Sequence, residues 1–175
     1  MGSNGAARKG HGIARERKGY IWISDFPFPH RVRASQPARA AFTKSPLHMS
    51  EPTVAVLGAS QDRRKFGNKA VRAYRDCGLT VLPVNPREAT IEGLVAYPNL
   101  DAISEPLDYV SVYLPPAVGL QMLPAIAAKK PREVWFNPGS ESDDLLDAAA
   151  DLHLRTVVGC SIVALGRSPA EFPDA

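Results

Sequence analysis

A β-branched run, a glycine and a helical segment follow one another closely and restrict the folds open to this chain. The run Thr53 to Leu57 reads TVAVL, Gly58 follows it directly, and a helical pattern extends from about Gly67 to Cys77 before Gly78 ends it. A second run of the same kind, Thr80 to Val84, comes next. A strand, a crossover helix and a second strand at this spacing predict a βαβ unit with parallel strands.

The same alternation continues to the end of the chain. It predicts further strands at 109–114, 133–136 and 156–158, helices at 117–128 and 143–152, a short extended piece at 92–96 and a helical turn at 99–103. Ser142 precedes the last of these helices and is a suitable N-cap. We therefore expect an α/β fold, a Rossmann-like doubly wound parallel sheet of about five strands with helices on both faces.

Charge divides the chain near Met49. Residues 1–48 hold nine Lys/Arg and two Asp/Glu, a net of +7, whereas residues 49–175 have a net of −4. Residues 1–48 also lack a sustained hydrophobic period, so we interpret them as a disordered basic extension or as the product of a mis-assigned start, with Met49 as the true first residue. A targeting peptide and a basic arm for nucleic acid are the competing interpretations. Residues 49–175 are predicted to form the folded domain.

Composition favours a cytoplasmic protein that neither spans a membrane nor depends on disulfides. No stretch of 18 apolar residues occurs, and the two cysteines, Cys77 and Cys160, are too few for a disulfide scaffold or a zinc site. We expect both cysteines to be buried as small apolar side chains. No catalytic constellation and no metal site can be identified, and nucleic acid is not the expected partner.

The residues after the second strand bear on ligand choice. In a site for NAD, an Asp or Glu at this position accepts hydrogen bonds from the ribose 2′-hydroxyl. Here the position holds Asn85, Pro86 and Arg87. An arginine suits a phosphorylated ribose and would leave a bare diol poorly held, so these residues indicate a phosphoadenosine ligand. Coenzyme A and NADP both carry such a group.

The loop after the first strand has features of a phosphate site. Gly58 allows close approach of the backbone, Ser60 has a hydroxyl, and the start of the next helix presents free N–H groups. Arg63, Arg64 and Lys65 add positive charge. The loop departs from G-x-G-x-x-G because Ala59 and Ser60 replace the second glycine, so by itself it is a weak dinucleotide signal.

Taken in order, the segments VAVLGAS, VLPVNP, a Leu-Pro-Pro strand end, VWFNPG and VVGC resemble the small CoA-binding domain proteins. That family is similar to the CoA-binding domain of the succinyl-CoA synthetase α subunit, and the resemblance covers residues 53 to about 163. One departure is Gly159-Cys160, where family members commonly have Arg-Cys. The resemblance implies coenzyme A as the ligand.

Positions carried over from the family fall in four groups. The diphosphate would lie against Gly58, Ala59, Ser60 and Lys65; the adenosine 3′-phosphate end against Asn85, Pro86 and Arg87; the adenine or the start of the pantetheine arm against Leu114, Pro115 and Pro116; and the departing arm near Asn137, Pro138 and Gly139.

The resulting expectation is a stand-alone protein that binds coenzyme A or acyl-CoA, and a partner enzyme is compatible with it. Three different functions stay open beside it: an NADP-type oxidoreductase fragment, an accessory subunit of an acyl-CoA-handling enzyme, and an interaction protein with a vestigial pocket. The phosphorylated histidine used by synthetase-type enzymes lies on a second domain for which this chain is too short.

Overall fold

A computed structural model describes residues 51–175, and the predicted basic extension at 1–48 lies outside the described residues. The described residues form seven strands: β1 Thr53–Leu57, β2 Thr80–Val84, β3 Thr90–Ile91, β4 Leu94–Val95, β5 Tyr109–Val112, β6 Glu133–Phe136 and β7 Thr156–Val158. The same part of the chain contains four α-helices: α1 Phe66–Asp76, α2 Pro116–Lys129, α3 Asp143–Asp151 and α4 Ser161–Ala164. Two 3₁₀ turns, Leu100–Ala102 and Pro169–Glu171, complete the described elements.

Five parallel strands form the main sheet in the order β2-β1-β5-β6-β7. The chain first moves from β1 to β2, then crosses back over β1 to β5, so the strand order reverses between β1 and β5. Pro83 lies in β2, an edge strand, where a residue without an N–H is tolerated. The Pro83 carbonyl accepts from Tyr97 N on the open side of this strand. The predicted α/β fold is confirmed.

Helices cover both faces of the sheet. On one face α2 and α3 bury Leu123, Ile126 and Leu145 against β5 and β6, and on the other α1 buries Val71 and Tyr74 against β1. β1 faces both layers, so four of its five residues are buried and its sequence is continuously apolar instead of alternating. Ser142 caps α3 as predicted, its Oγ accepting from Leu145 N.

Two short elements and one cysteine differ from expectation. The extended piece at 92–96 is the second half of a hairpin, with β3 and β4 joined through Glu92-Gly93. Helix α4 has only four residues and leaves no periodic signal. The expectation that Cys77 is buried is wrong: the residue follows the last turn of α1, where the chain turns toward β2, and it is exposed. Cys160, just before α4, is partly buried.

The C-terminal segment 168–175 packs along α1. Phe172 is buried, with the guanidinium groups of Arg72 and Arg167 at 5.6 and 5.4 Å from its ring centroid. Lys69 Nζ lies 2.7 Å from a carboxylate oxygen of Asp174. This packing completes the α1 face of the core. Within residues 51–175, no helix combines the length and apolar character needed to cross a membrane.

Candidate functional site

A cleft of about 680 Å³ opens at the carboxyl ends of β1, β2 and β5, where the strand order reverses. Ligands of open α/β sheets bind at such a reversal, and the volume lies within the usual range for small-molecule sites. We call it the switch-point cleft. Its lining comprises Leu57, Gly58, Ala59, Ser60, Lys65, Val84, Asn85, Pro86, Arg87, Pro98, Asn99, Tyr113, Leu114, Val118 and Met122.

Two glycines let the loop between β1 and α1 fold tightly against its neighbours. Gly58 has φ +82°, and a Cβ on it would lie 2.6 Å from the Tyr113 carbonyl oxygen. Gly67, the second residue of α1, lies so close to the loop that a Cβ would come within 2.3 Å of the Gly58 carbonyl oxygen. The loop and the start of α1 therefore pack backbone to backbone, which sets the depth of the cleft on this side.

The basic residues of the loop divide into paired and unpaired groups. Arg63 forms a two-pronged ion pair with Glu92, at 2.8 and 2.7 Å, and Arg64 pairs with Asp62 at 2.9 Å. Lys65, by contrast, lines the cleft and makes no ion pair with any residue in 51–175. Of the three cations in the loop, Lys65 is therefore the one available to a ligand.

The loop after β2 also has one residue that is available to a ligand and one that is engaged within the protein. Arg87 is exposed, lines the cleft and has no side-chain partner within the described part of the chain. Asn85 instead serves the backbone: its Nδ2 donates to the Ala59 carbonyl at 2.8 Å, and its Oδ1 accepts from Arg87 N at 2.8 Å. Asn85 therefore joins the two loops and fixes the backbone from which Arg87 extends.

Sequence reasoning missed Glu88, which connects the same two loops. Its Oε2 accepts from Gln61 N at 2.6 Å, and its Oε1 accepts from Ser60 Oγ at 3.2 Å. The sequence contains one signal for Glu88: it is an acidic residue shortly after the end of β2, a strand end at which NAD sites typically have a carboxylate. Glu88 stands three residues beyond Asn85, outside the strand end at which a ribose-binding carboxylate is expected.

The hairpin turn contributes a second acidic contact to the loop. Glu92 receives hydrogen bonds from Arg63 and from Asn68 Nδ2, the latter at 3.0 Å. These contacts, the Arg63 bonds first, lower the pKa of Glu92 from 4.5 to about 2, although partial burial opposes them. Glu92 is therefore ionised at neutral pH and holds the loop to the hairpin.

Of the thirteen residues assigned from the sequence, eight line the switch-point cleft: Gly58, Ala59, Ser60, Lys65, Asn85, Pro86, Arg87 and Leu114. Pro115 is the N-cap of α2 and Pro116 is its first residue, and Pro138 and Gly139 form the exposed turn after β6. Asn137 is buried: its amide donates to Ser111 Oγ and the Val112 carbonyl and accepts from Ser161 N. These five residues are not among those that line the cleft.

The cleft also has an apolar wall that the sequence did not reveal in full. Val118 and Met122 of α2 contribute to it together with Leu114, and Pro98 and Tyr113 add to the lining. The Tyr113 hydroxyl shares a hydrogen bond with Ser161 Oγ at 3.0 Å, and burial raises the pKa of this phenol. The site thus combines one basic rim with one apolar wall, an arrangement suited to an adenine or alkyl group linked to phosphate.

Comparison with known proteins places the chain in a family. The model for the CoA binding domain matches residues 52–166, which include all of the main sheet. The chain belongs to the CoA-binding domain family. The family resemblance predicted from the sequence is thereby confirmed.

Members and relatives of this family differ greatly in length. A conserved hypothetical protein of Pyrococcus furiosus is 31% identical, with a TM-score of 0.61 over 64% of this chain and 97% of its own. A Thermus thermophilus protein is 32% identical, also at 0.61, over 65% and 87%. The ADP-forming acetate–CoA ligase I of Archaeoglobus fulgidus is 37% identical over 62 residues, which are 35% of this chain and only 9% of the ligase. The chain therefore spans a small part of that curated relative.

Proposed function

We propose that this domain binds coenzyme A or an acyl-CoA in the switch-point cleft. The observation that carries the proposal is the convergence of Lys65 and Arg87, two cations without ion-pair partners among residues 51–175, on one cleft beside the Gly58 loop. Phosphate groups satisfy such cations through charge-assisted hydrogen bonds. The apolar wall that includes Leu114 and Met122 would receive the adenine or the start of the pantetheine arm.

Each cation has a separate role in this proposal. Lys65 precedes α1 and would contact the diphosphate together with backbone N–H groups of the loop. Arg87 would contact the 3′-phosphate, the group that distinguishes coenzyme A from dephospho-CoA. Asn85 has both of its amide atoms engaged with backbone, so it would position Arg87 without contacting the ligand.

The experiment compares coenzyme A with dephospho-CoA on the wild type and on Arg87→Glu, by isothermal titration. The charge reversal should weaken the binding of coenzyme A at least about tenfold more than the binding of dephospho-CoA, because only coenzyme A has a phosphate at this position. Lys130→Glu is a matched control, since Lys130 is exposed at the end of α2, does not line the cleft and, like Arg87, forms no ion pair within residues 51–175. Equal losses for both ligands in Arg87→Glu would contradict the assigned role.

A thermal-shift series with coenzyme A, acetyl-CoA, NAD and NADP distinguishes coenzyme A binding from two competing functions, because a bound ligand stabilises the folded state by mass action. Stabilisation by NADP alone would favour the oxidoreductase fragment. No stabilisation by any of the four would favour an interaction protein with a vestigial pocket.

A second candidate function is participation in a larger acyl-CoA-handling enzyme. The observation that favours it is the match to a segment that makes up 9% of an acetate–CoA ligase. Thiol release from acetyl-CoA, assayed with ADP and phosphate because an ADP-forming ligase needs both to release CoA, distinguishes the two candidates in an extract of cells that lack the gene for this chain. A binding module alone should leave the rate unchanged when the purified chain is added back, whereas a part of such an enzyme should restore thiol release in proportion to the protein added.

A further inference from the structure

The Glu88 carboxylate accepts hydrogen bonds from donors in the loop between β1 and α1. A phosphate bound at this loop would need the same donors. The Gln61 N–H and the Ser60 hydroxyl both point to the Glu88 carboxylate, at 2.6 and 3.2 Å. Backbone N–H groups and hydroxyls of a glycine-bearing loop are the donors that phosphate oxygens accept from in nucleotide sites. The Ser60 hydroxyl has a single proton, so while it donates to Glu88 it has none for a ligand.

Within residues 51–175, no ion pair neutralises the charge of Glu88. Two other acidic residues in contact with the loop are paired, Glu92 with Arg63 and Asp62 with Arg64. Glu88 does not itself line the cleft, but it contacts Ser60, which lines the cleft together with Lys65 and Arg87. A phosphate bound at Ser60 would therefore meet this carboxylate as a like charge and as a competitor for the same hydroxyl proton.

Contacts other than those of Glu88 also hold the loop in place. Gln61 Nε2 donates to the Thr90 carbonyl at 2.7 Å, Asn68 Nδ2 donates to the Ser60 carbonyl at 2.7 Å, and Arg63 is held by Glu92. Three contacts independent of Glu88 thus attach the loop to the hairpin and to α1. We therefore expect the loop to keep its conformation when the charge of Glu88 is removed.

We propose that Glu88 is an internal competitor of the ligand's phosphates, and that it lowers the affinity of the switch-point cleft for its anionic ligand. The inference rests on the proposed function, since it concerns the same site. Glu88 thereby favours ligands with more phosphate charge, because a diphosphate can displace the carboxylate more effectively than a single phosphate monoester. Removal of its charge should raise the affinity for a diphosphate by about tenfold.

The test uses Glu88→Gln, which removes the charge but keeps an oxygen that can accept from Gln61 N. Coenzyme A and, separately, inorganic pyrophosphate are titrated into the full chain by calorimetry. Asp151→Asn is the matched control, because Asp151 is exposed at the end of α3 and does not line the cleft. Thermal melts of each variant establish that it is folded.

We expect Glu88→Gln to bind both ligands about tenfold more tightly, with Asp151→Asn equal to the wild type. The ¹⁵N–¹H resonance of Gln61 should shift in the wild type when ligand replaces the carboxylate, and the free variant should already lack the downfield position of a carboxylate-bound amide. Unchanged or weaker binding by Glu88→Gln, with a wild type that binds coenzyme A, would overturn the inference and leave the proposed function intact. If the wild type fails to bind coenzyme A, the proposed function is wrong. The pyrophosphate titration alone would then decide whether Glu88 competes with phosphate.

Discussion

The close approach of α1 to the loop after β1 makes Gly67→Ala a direct test of how the cleft is built. The added methyl group would lie 2.3 Å from the Gly58 carbonyl oxygen, 3.1 Å from its carbonyl carbon and 3.3 Å from the Ala59 Cα. All three atoms are backbone, so no side-chain rotation can make room. The loop would have to retreat by about 1 Å to reach ordinary van der Waals contact.

The size and sign of the effect follow from two opposing terms. Overpacking of this kind costs about 1–3 kcal/mol. Alanine in a helix is favoured over glycine by up to about 1 kcal/mol, and this gain is smaller near a helix terminus. We therefore expect Gly67→Ala to lower the free energy of unfolding by about 1–2 kcal/mol, which corresponds to a fall in Tm of roughly 3–8 °C.

A second helical glycine gives the matched control. Gly119 lies inside α2, and a Cβ there would meet only the methyl groups of Leu145, Cδ2 at 3.4 Å and Cδ1 at 3.6 Å, which are ordinary van der Waals distances. Gly119→Ala should therefore be neutral or stabilising, by up to about 1 kcal/mol. Urea unfolding followed by far-UV circular dichroism measures both variants, and equal stability of Gly67→Ala and Gly119→Ala would refute the packing argument.

Two further predictions concern stability without a ligand. Asn137→Ala should lower the free energy of unfolding by at least about 2 kcal/mol, because the buried Ser161 N–H loses its acceptor; denaturant unfolding measures this, and a loss below about 0.5 kcal/mol would contradict the role given to the amide. The pKa of Glu92 is about 2 in the fold against 4.5 without its partners, so its contribution to stability is complete above pH 4.5 and is lost as the pH falls toward 2. Melts from about pH 2 to about pH 6 should show a smaller acid-induced decrease in Tm for Glu92→Gln than for the wild type, and identical pH profiles would count against the Arg63–Glu92 pair as the cause.

The main sheet could be predicted from the sequence because its signals are local. Continuous apolar runs such as Thr53–Leu57, each closed by turn-forming residues, are typical of strands buried on both faces. The sequence indicates the hairpin only as an extended piece, since β3 and β4 have two residues each and establish no alternation. Helix α4 escapes prediction for a similar reason, because one turn cannot display a helical period.

The candidate site was only partly predictable because the loops at one rim look alike in sequence. Turn formers come after each strand of the main sheet, yet only loops beside the reversal of strand order converge, and strand order depends on tertiary packing. Gly58 and Arg87 follow strands at the reversal and line the cleft. Asn137 follows β6, which lies on the far side of β5 from β1, and there its amide supports α4. Glu88 was missed because its partners are contributed by another loop.

Arg63 links parts of the chain that are far apart in sequence. Besides its pair with Glu92, its Nη1 donates to the Ala175 carbonyl at 2.7 Å, so one side chain joins the cleft loop, the hairpin turn and the C-terminal segment. A ligand that tightened the loop would also tighten the segment, and by thermodynamic reciprocity a firmly docked segment would favour the ligand to the same degree. We therefore expect the amides around Phe172 to exchange more slowly with solvent hydrogen when the cleft is occupied.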